Sequence, residues 1–400
     1  MGAIITATTG CSGISIPRKI IPTWAFRACV TLVAAMLVAP VLSVEGQQTC
    51  IERDLQYRLD GDDLLWHNVR AVSTDDHNLF ALTQSSPRIH RFDLSDGNHL
   101  LSWGQRGQGP GEFQSSSGIT LVGEHVYVLD SNQGRLSIFE LMGDLVRTIP
   151  LQRFGMPPNF PSWLDRATGD TVLFGLSVPM GNERSIIARS FGASASEDPI
   201  HQDTVIVFPA RTASLRLAAP GAPSLTLSPP YSPKPQWTPV SGGVAFWQGL
   251  DSDIRILGLD GVLKSAISLT LDDRFEVTSE DKEFWLQDAI PQEFLGQRPF
   301  EPLREKARRT VDFPRYHPLM SRILGGPDNL LWVRRTPDGR DQVWDVVDTQ
   351  GQLASRVSLA SGQALMSVIP GHLVLKVTDD LGVESIEVYR CRTLPTGGSP

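Results

Sequence analysis

The stretch "GQRGQGPGEFQSSSGITLVGEHVYVLDSNQGRLSIFELMGDLVRTI", from Gly104 to Ile149, decides between two classes of fold. Its first ten residues include five glycines or prolines, which would suit a phosphate-binding loop or a joint between two β-elements. A Walker A loop needs Gly-Lys-Ser/Thr, which is absent here, and a Rossmann loop opens a helix, whereas "GITLV" predicts a strand. The loop is therefore predicted to be a joint, because glycines permit positive φ and proline stiffens the crossing.

The plan of this stretch recurs along the chain. Runs that are apolar on both faces, such as "NLFAL", "HVYVL", "GVAFW", "NLLWV" and "HLVLKV", are followed by strands of alternating polarity. This order is typical of propeller blades, whose middle strands are sandwiched between neighbouring blades while outer strands face solvent. The centres of these runs are Phe80, Tyr127, Leu173, Phe246, Trp332 and Val374, at intervals of 47, 46, 73, 86 and 42 residues.

The two long intervals contain insertions, so the underlying period is that of a propeller blade. We predict an all-β fold, a six-bladed β-propeller of four-stranded antiparallel blades with a small helical insertion, and leave five or seven blades open. The propeller is expected to span residues 47–395, with a disordered tail at 396–400.

The opening stretch resembles the NHL-type six-bladed β-propeller repeat. That repeat has a glycine-rich joint, a "V-x-D" strand end with a nearby Asn, and an "R-I-x-x-F" strand. The matching joint residues are Gly107, Gly109, Pro110, Gly111 and Phe113, and the matching strand residues are Val128, Asp130, Asn132, Arg135, Leu136 and Phe139. The blocks "NLLWVRR" and "QVWDVVDTQGQL" look like secreted bacterial six-bladed propeller proteins of uncharacterised function. The resemblance implies the fold. From the joint itself, Phe113 is expected to wedge between two blades where the chain passes from an outer strand to the next inner strand.

Two insertions interrupt the repeat. Residues 209–239 contain eight prolines and are expected to be extended or loop-like rather than sheet, because proline lacks a backbone donor. Residues 278–310 are expected to be helical: Thr278 and Asp281 have capping-box spacing, and a second helix starts near Pro302 and ends in "EKARR". Phe284, Trp285 and Ala289 are expected to dock this hairpin on the propeller, as a passive cover or as a binding-site lid.

The N-terminus is predicted to be a signal peptide, residues 1–46. Three basic residues precede the apolar run "VTLVAAMLVAPVLSV", which is short for a membrane span. Cleavage gives a secreted or periplasmic protein, and an uncleaved membrane anchor is the alternative. The full chain has a formal charge of −8, and its acidic character argues against nucleic-acid binding.

Cys50 and Cys391 are the two cysteines that survive this cleavage. Because a propeller commonly closes its ring by placing both chain ends in one blade, residues 51–59 are expected to pair with "SIEVYRC". A disulfide between Cys50 and Cys391 would fasten that blade. The alternative is two buried, reduced thiols.

The sequence carries no catalytic signature. The eight histidines are scattered without ligand spacing, so no cofactor is predicted, with calcium or zinc at the central channel as the alternative. Asp130 and Asn132 are the candidate metal ligands, although such residues also hydrogen-bond turns. Seven tryptophans are expected to fill gaps between blades or to form a ligand platform, namely Trp66, Trp163, Trp237, Trp247, Trp285, Trp332 and Trp344.

The predicted function is a monomeric binding module for an unknown protein, peptide or carbohydrate. Loops from all blades converge around one axis of a propeller, which suits binding. The alternative function is a metal-dependent hydrolase or lyase, similar to gluconolactonase, with its site at the central channel.

Overall fold

The computed structural model describes residues 52–59, 68–154, 161–166, 171–177, 183–190, 201–209, 215–220, 222, 224–249, 251–269, 274–290, 300–335 and 341–392. The predicted signal peptide, Cys50 and the predicted tail lie outside these residues. Among the described residues, none of the helices has the length and apolar character needed to cross a bilayer.

Strands dominate the described chain. In the first half they are β1 (Glu52–Leu59), β2 (Ala71–Thr74), β3 (Asn78–Leu82), β4 (Ile89–Asp93), β5 (His99–Trp103), β6 (Ser116–Val122), β7 (His125–Asp130), β8 (Arg135–Glu140), β9 (Leu145–Pro150), β10 (Pro161–Arg166), β11 (Thr171–Ser177), β12 (Glu183–Ser190) and β13 (His201–Pro209). In the second half they are β14 (Leu215–Leu217), β15 (Leu225–Leu227), β16 (Gln236–Val240), β17 (Gly243–Trp247), β18 (Asp253–Leu257), β19 (Leu263–Ser268), β20 (Arg322–Gly325), β21 (Leu331–Arg334), β22 (Gln342–Val347), β23 (Leu353–Leu359), β24 (Gln363–Ile369), β25 (His372–Thr378) and β26 (Glu384–Arg392).

Two α-helices interrupt the strands, α1 (Ser279–Ala289) and α2 (Glu301–Thr310), and short 3-10 turns lie at Leu151–Phe154 and Pro327–Asn329. Within the described chain, strands form six four-stranded antiparallel sheets and one two-stranded sheet. We name the larger ones sheet I (β2–β5), sheet II (β6–β9), sheet III (β10–β13), sheet IV (β16–β19), sheet V (β20–β23) and sheet VI (β24, β25, β26 and β1).

The second strand of each larger sheet is the buried one, as its apolar run predicts. Strands β3 and β17 are buried along their whole length, and all six centres of the apolar runs are at most 4% exposed. The outer strands β5, β9 and β19 are largely exposed or half-buried. Burial on both faces requires a neighbour on each side, so these sheets stack face to face.

Apolar clusters lie between consecutive sheets. The cluster with Phe80 and Phe139 joins sheets I and II, and the one with Leu136 and Leu164 joins sheets II and III. Further clusters join III to IV, IV to V and V to VI. The cluster of Val374 and Leu79 joins sheet VI back to sheet I. The chain is therefore an all-β propeller with four-stranded antiparallel blades and few helices.

The described side chains cover five of these blades in detail, on all four strands of each. In sheet III they are confined to Leu164, Thr171–Leu173 and 204–208. The prediction of a β-propeller with four-stranded blades is confirmed, whereas the blade count of six and the NHL type stay predictions.

Sheet VI contains both ends of the described chain. Strand β1 pairs with β26 from Glu52 opposite Arg392 to Leu59 opposite Ile386, which puts Arg53 opposite Cys391. Cys391 is disulfide-bonded. Because Cys50 lies outside the described residues, its pairing with Cys391 stays a prediction.

The two insertions fold together into a cap, which we define as β14, β15, α1 and α2. The helices occur where the sequence predicts them, and α1 begins with the capping box of Thr278 and Asp281. The expectation that residues 209–239 contain no sheet is wrong: β14 and β15 form a hairpin, and β16 begins within this range and pairs with β17. The reason is placement, since Pro220 lies between the two hairpin strands and the "SPPYSPKP" prolines follow them, which leaves both hairpin strands free of proline.

The cap has its own apolar core. Leu303 and Ala307 of α2 are fully buried against Leu286 of α1 and Leu217 of β14. Two long-range hydrogen bonds join the insertions, from Lys306 Nζ to the Ala218 carbonyl at 2.6 Å and from Tyr231 Oη to the Asp281 carbonyl at 2.6 Å. The cap is thus one packed unit inserted between strands of the propeller.

Candidate ligand pocket under the cap

A pocket of about 220 Å³ lies where the cap meets sheets IV and V. We call it the cap pocket. It is lined by Ser228, Pro229, Tyr231, Ser232, Lys234 and Gln236 before and at the start of β16, by Phe284, Trp285 and Asp288 of α1, and by His317, Pro318, Met320, Ser321, Arg334 and Arg335 around sheet V. Three separate parts of the chain therefore build one cavity.

Helix α1 contributes an aromatic wall. Trp285 is 9% exposed and meets Phe313 edge-on, with ring centroids 5.5 Å apart and an interplanar angle of 90°. Its neighbour Phe284 is 40% exposed. Asp288 lies one turn beyond Phe284 on the same helix face. This part of α1 therefore presents both an apolar ring and an exposed carboxylate to the pocket.

Asp281 links three segments of the pocket wall. Its Oδ2 accepts hydrogen bonds from the Thr278 backbone N–H at 2.7 Å and the Thr278 hydroxyl at 2.9 Å, and lies 3.1 Å from His317 Nε2. Its own carbonyl accepts from Tyr231. Burial raises the pKa of Asp281, but the Thr278 N–H, His317 and the Thr278 hydroxyl lower it more, so the net pKa is below the usual value.

His317 is the unusual group of this pocket. Its side chain is 1% exposed and meets the Tyr231 ring edge-on, with centroids 4.3 Å apart. Nε2 lies 3.1 Å from Asp281 Oδ2, although the geometry of this contact is not that of a regular hydrogen bond. Nδ1 is buried and has no hydrogen-bond partner in the part of the chain that the structure describes. A buried polar atom of this kind is costly unless something satisfies it.

Positively charged side chains also line the pocket. Arg334, at the end of β21, is 7% exposed, and its Nε donates to Ser321 Oγ at 2.7 Å. Lys234 is exposed at the pocket and makes no ion pair or hydrogen bond with its side chain within the described ranges. The neighbouring Arg335 has a structural role, because its Nη1 donates a hydrogen bond to Asp345 Oδ2 at 2.8 Å.

The predicted joint residues lie together between sheets I and II. Phe113 is fully buried in the cluster between those sheets, as a wedge would be. Glu112 accepts from the Gly109 N–H at 2.8 Å, and Arg135 donates to the Gly109 carbonyl at 2.7 Å. A side chain at Gly107 would collide with Glu112. The conformation of the loop therefore depends on hydrogen bonds made by nearby side chains as well as on its glycines.

Asp130 is used as a turn residue. It is fully buried, and its carboxylate accepts from the backbone N–H groups of Gln114, Ser115 and Gln133 at 2.7, 3.2 and 3.1 Å. Asn132 is exposed and lines a second cavity with Arg106 and Gln114. Among the described residues, no group of three or more His, Cys, Asp or Glu side chains is arranged to hold a metal.

Most of the described tryptophans lie in the core. Trp247, Trp332 and Trp344 are at most 4% exposed and pack between sheets. Trp237 is partly buried against the cluster between sheets III and IV. Trp66 and the side chain of Trp163 lie outside the described residues. Trp285 is the tryptophan that reaches the cap pocket.

Sequence reasoning missed most residues of this pocket. It named Phe284 and Trp285 as docking residues, but not Tyr231, His317 or Arg334. The only local signal is that Tyr231 and His317 both stand next to prolines, in "PPYSP" and "YHPLM", at the ends of the two insertions. Rigid segments beside an insertion are suited to holding a side chain in one place.

No family model and no curated protein matches the sequence. Among solved structures, a member of the DUF4221 family from Bacteroides vulgatus is similar with a TM-score of 0.50 and 9% identity, over 87% of this chain and all of the other. An inferred exported protein from Bacteroides fragilis has a TM-score of 0.49 and 12% identity, over 88% and 98%. The calcium-binding protein regucalcin from Agrobacterium tumefaciens has a TM-score of 0.33 and 12% identity, over 85% and 97%. At 9% identity, the likeness to the DUF4221 protein shows the fold alone.

Proposed function

We propose that this protein is a ligand-binding β-propeller and that the cap pocket is its binding site. The observation that carries the proposal is the buried, unpartnered Nδ1 of His317 in the wall of a cavity that also exposes Phe284, Lys234 and Asp288. Binding pockets are typically apolar and aromatic, with a few placed polar groups. The cap then acts as the lid of a site and not only as a passive cover.

The wider proposal concerns architecture and location. We take all six sheets as blades of an NHL-type propeller, a count that the unbroken cycle of inter-sheet clusters supports. Residues 1–46 direct the chain to the periplasm or the exterior, where it acts as a monomeric binding module. The metal-dependent hydrolase or lyase stays a prediction, because no observation in the described residues favours it.

A saturation-transfer NMR screen tests the proposal. The purified protein is mixed with small neutral, anionic and cationic fragments, each below about 15 non-hydrogen atoms, since small sites bind such molecules efficiently. Every fragment that binds wild type is measured again with Phe284→Ala. We expect the variant to weaken a class of fragments, because an exposed ring at the pocket is removed.

Leu381→Ala is the matched control, because Leu381 is 89% exposed, lies between β25 and β26, and does not line the cap pocket. It should leave every fragment signal unchanged. If Phe284→Ala and Leu381→Ala behave alike for all fragments that bind, the cap pocket is not the binding site.

A further inference from the structure

The cap pocket contains complementary groups that define a ligand chemistry. Resting on the proposed function, we infer that the pocket takes a small aromatic carboxylate that also carries an uncharged hydrogen-bond donor, such as a hydroxyl or an amino group. Three features of the wall lead to this class of ligand: its size and aromatic rings, its cations, and His317.

The size and the walls indicate a flat, small body. A volume of about 220 Å³ holds roughly seven waters at about 30 Å³ each. A single substituted aromatic ring fits that volume. The rings of Tyr231, Phe284 and Trp285 line it, and aromatic pairs prefer offset or edge-on contact.

The cations indicate a carboxylate. Arg334 is nearly buried and anchored through Nε, so its planar guanidinium is held in one place at the wall. Lys234 is exposed at the pocket and makes no ion pair within the described ranges, so its ammonium is the charge that meets a ligand carboxylate. Asp288 adds a negative charge at the same pocket. A monoanion is therefore favoured over a dianion.

His317 indicates that the ligand carries a hydrogen-bond donor. Asp281 is an ionised acceptor with a lowered pKa, so the His317 nitrogen that faces it carries the proton. In the neutral imidazole the other nitrogen, Nδ1, then presents a lone pair. A ligand hydroxyl or amino group satisfies this buried acceptor, whereas a carboxylate or a bare ring edge leaves it unsatisfied.

Isothermal titration of the purified protein at pH 7 tests the inference with named probes. These are 3- and 4-hydroxybenzoate, 4-aminobenzoate, benzoate, terephthalate and 4-hydroxybenzyl alcohol. We expect at least one hydroxy- or aminobenzoate to bind about tenfold more tightly than benzoate and terephthalate, because those two lack the donor. The neutral alcohol should also bind about tenfold more weakly, because it lacks the carboxylate.

Two variants assign the contacts. His317→Phe should remove the preference for the hydroxybenzoate over benzoate, so that the two bind equally, and urea unfolding like that of wild type shows that the variant is folded. Lys234→Gln should weaken every carboxylate about threefold and leave the alcohol unchanged. Its control is Lys264→Gln, an exposed lysine on β19 whose Nζ donates to the Gly242 carbonyl, outside the pocket.

The outcomes separate the inference from the proposed function. If terephthalate binds as tightly as the hydroxybenzoates, the pocket does not require a hydrogen-bond donor on the ligand. If 4-hydroxybenzyl alcohol binds as tightly as the hydroxybenzoates, the pocket does not require a carboxylate. If none of these probes binds while binding of other fragments in the NMR screen is still weakened by Phe284→Ala, the inferred ligand class is wrong and the proposed binding site is retained. If Phe284→Ala weakens the binding of no fragment, both the inferred ligand class and the proposed binding site are wrong.

Discussion

At the scale of single residues, His90 is a buried histidine that folding holds in the neutral form. It is fully buried on β4, where Nδ1 lies 2.8 Å from Ser102 Oγ, and Ser102 is shared with His99. Burial and the neighbouring His99 lower the pKa of His90 to about 4. An ordinary histidine titrates near about 6.5.

The stability should therefore depend on pH through His90. Between about pH 6.5 and about pH 4, the unfolded chain binds a proton at His90 that the folded chain does not bind. The contribution of His90 to the free energy of unfolding is therefore fully present above about pH 6.5 and is lost as the pH falls towards about 4. The loss attributable to this group is about 3 kcal/mol. His90→Gln should flatten the slope of unfolding free energy against pH over this range in urea titrations. Equal slopes in wild type and variant would contradict the assignment.

Phe113 tests the joint between sheets I and II. It is fully buried, with its ring centroid 6.0 Å from that of Phe139. Phe113→Ala should lower the free energy of unfolding by about 3 to 5 kcal/mol, because it leaves a cavity between two blades. Urea unfolding measures this, and Leu381→Ala should change it by less than about 0.5 kcal/mol. A loss below about 1 kcal/mol for Phe113→Ala would show that the wedge is not part of the core.

The joint could be predicted from the sequence because its parts are close along the chain. Gly111, Phe113 and Asp130 lie within one repeat, so their spacing is itself the signal. The pocket residues could not be found in this way. Asp281 and His317 are 36 residues apart and Tyr231 is 50 residues before Asp281, so only the packing of two insertions brings them together.

At the scale of elements, the cap is a separate unit with its own core. Leu303→Ala removes a fully buried side chain from that core and should weaken it by about 2 to 5 kcal/mol. Hydrogen exchange measured by mass spectrometry should show faster exchange in α1 and α2, with sheet I unchanged.

The control for this measurement is Leu263→Ala, since Leu263 is 57% exposed at the start of β19. It should leave exchange in the cap as in wild type. Equal acceleration of the cap and of sheet I by Leu303→Ala would mean that the cap does not open on its own.

The helices of the cap were predictable and its hairpin was not. The capping box of Thr278 and Asp281 is a local signal for a helix start, and the structure contains both of its hydrogen bonds. The hairpin strands are three residues each, "LRL" and "LTL", beside many prolines. Such short strands become stable only against the helices, so composition alone pointed to a loop.

At the scale of the whole molecule, closure depends on sheet VI. Strand β1 supplies its outer strand, and the cluster around Val374 and Leu79 joins it to sheet I. The sequence predicted this arrangement because blade-length periodicity leaves an unpaired strand at each end. It could not place the cap, because no repeat governs where an insertion packs.

A disulfide between Cys50 and Cys391 should reinforce this closure. Peptide mapping of the unreduced purified protein should find the two cysteines in one linked peptide. Cys391→Ser should lower the free energy of unfolding by roughly 2 to 5 kcal/mol, since the crosslink restricts the unfolded chain. Complete alkylation of both thiols in the native protein would contradict the pairing.

The most direct test of the central claim is a crystallographic fragment screen of the whole protein. If the cap and the propeller together form a binding site, fragments will cluster in the cap pocket, in contact with Phe284 and Arg334 and within hydrogen-bond distance of His317 Nδ1. Fragments that collect elsewhere on the propeller and leave the cap pocket to solvent would contradict the claim.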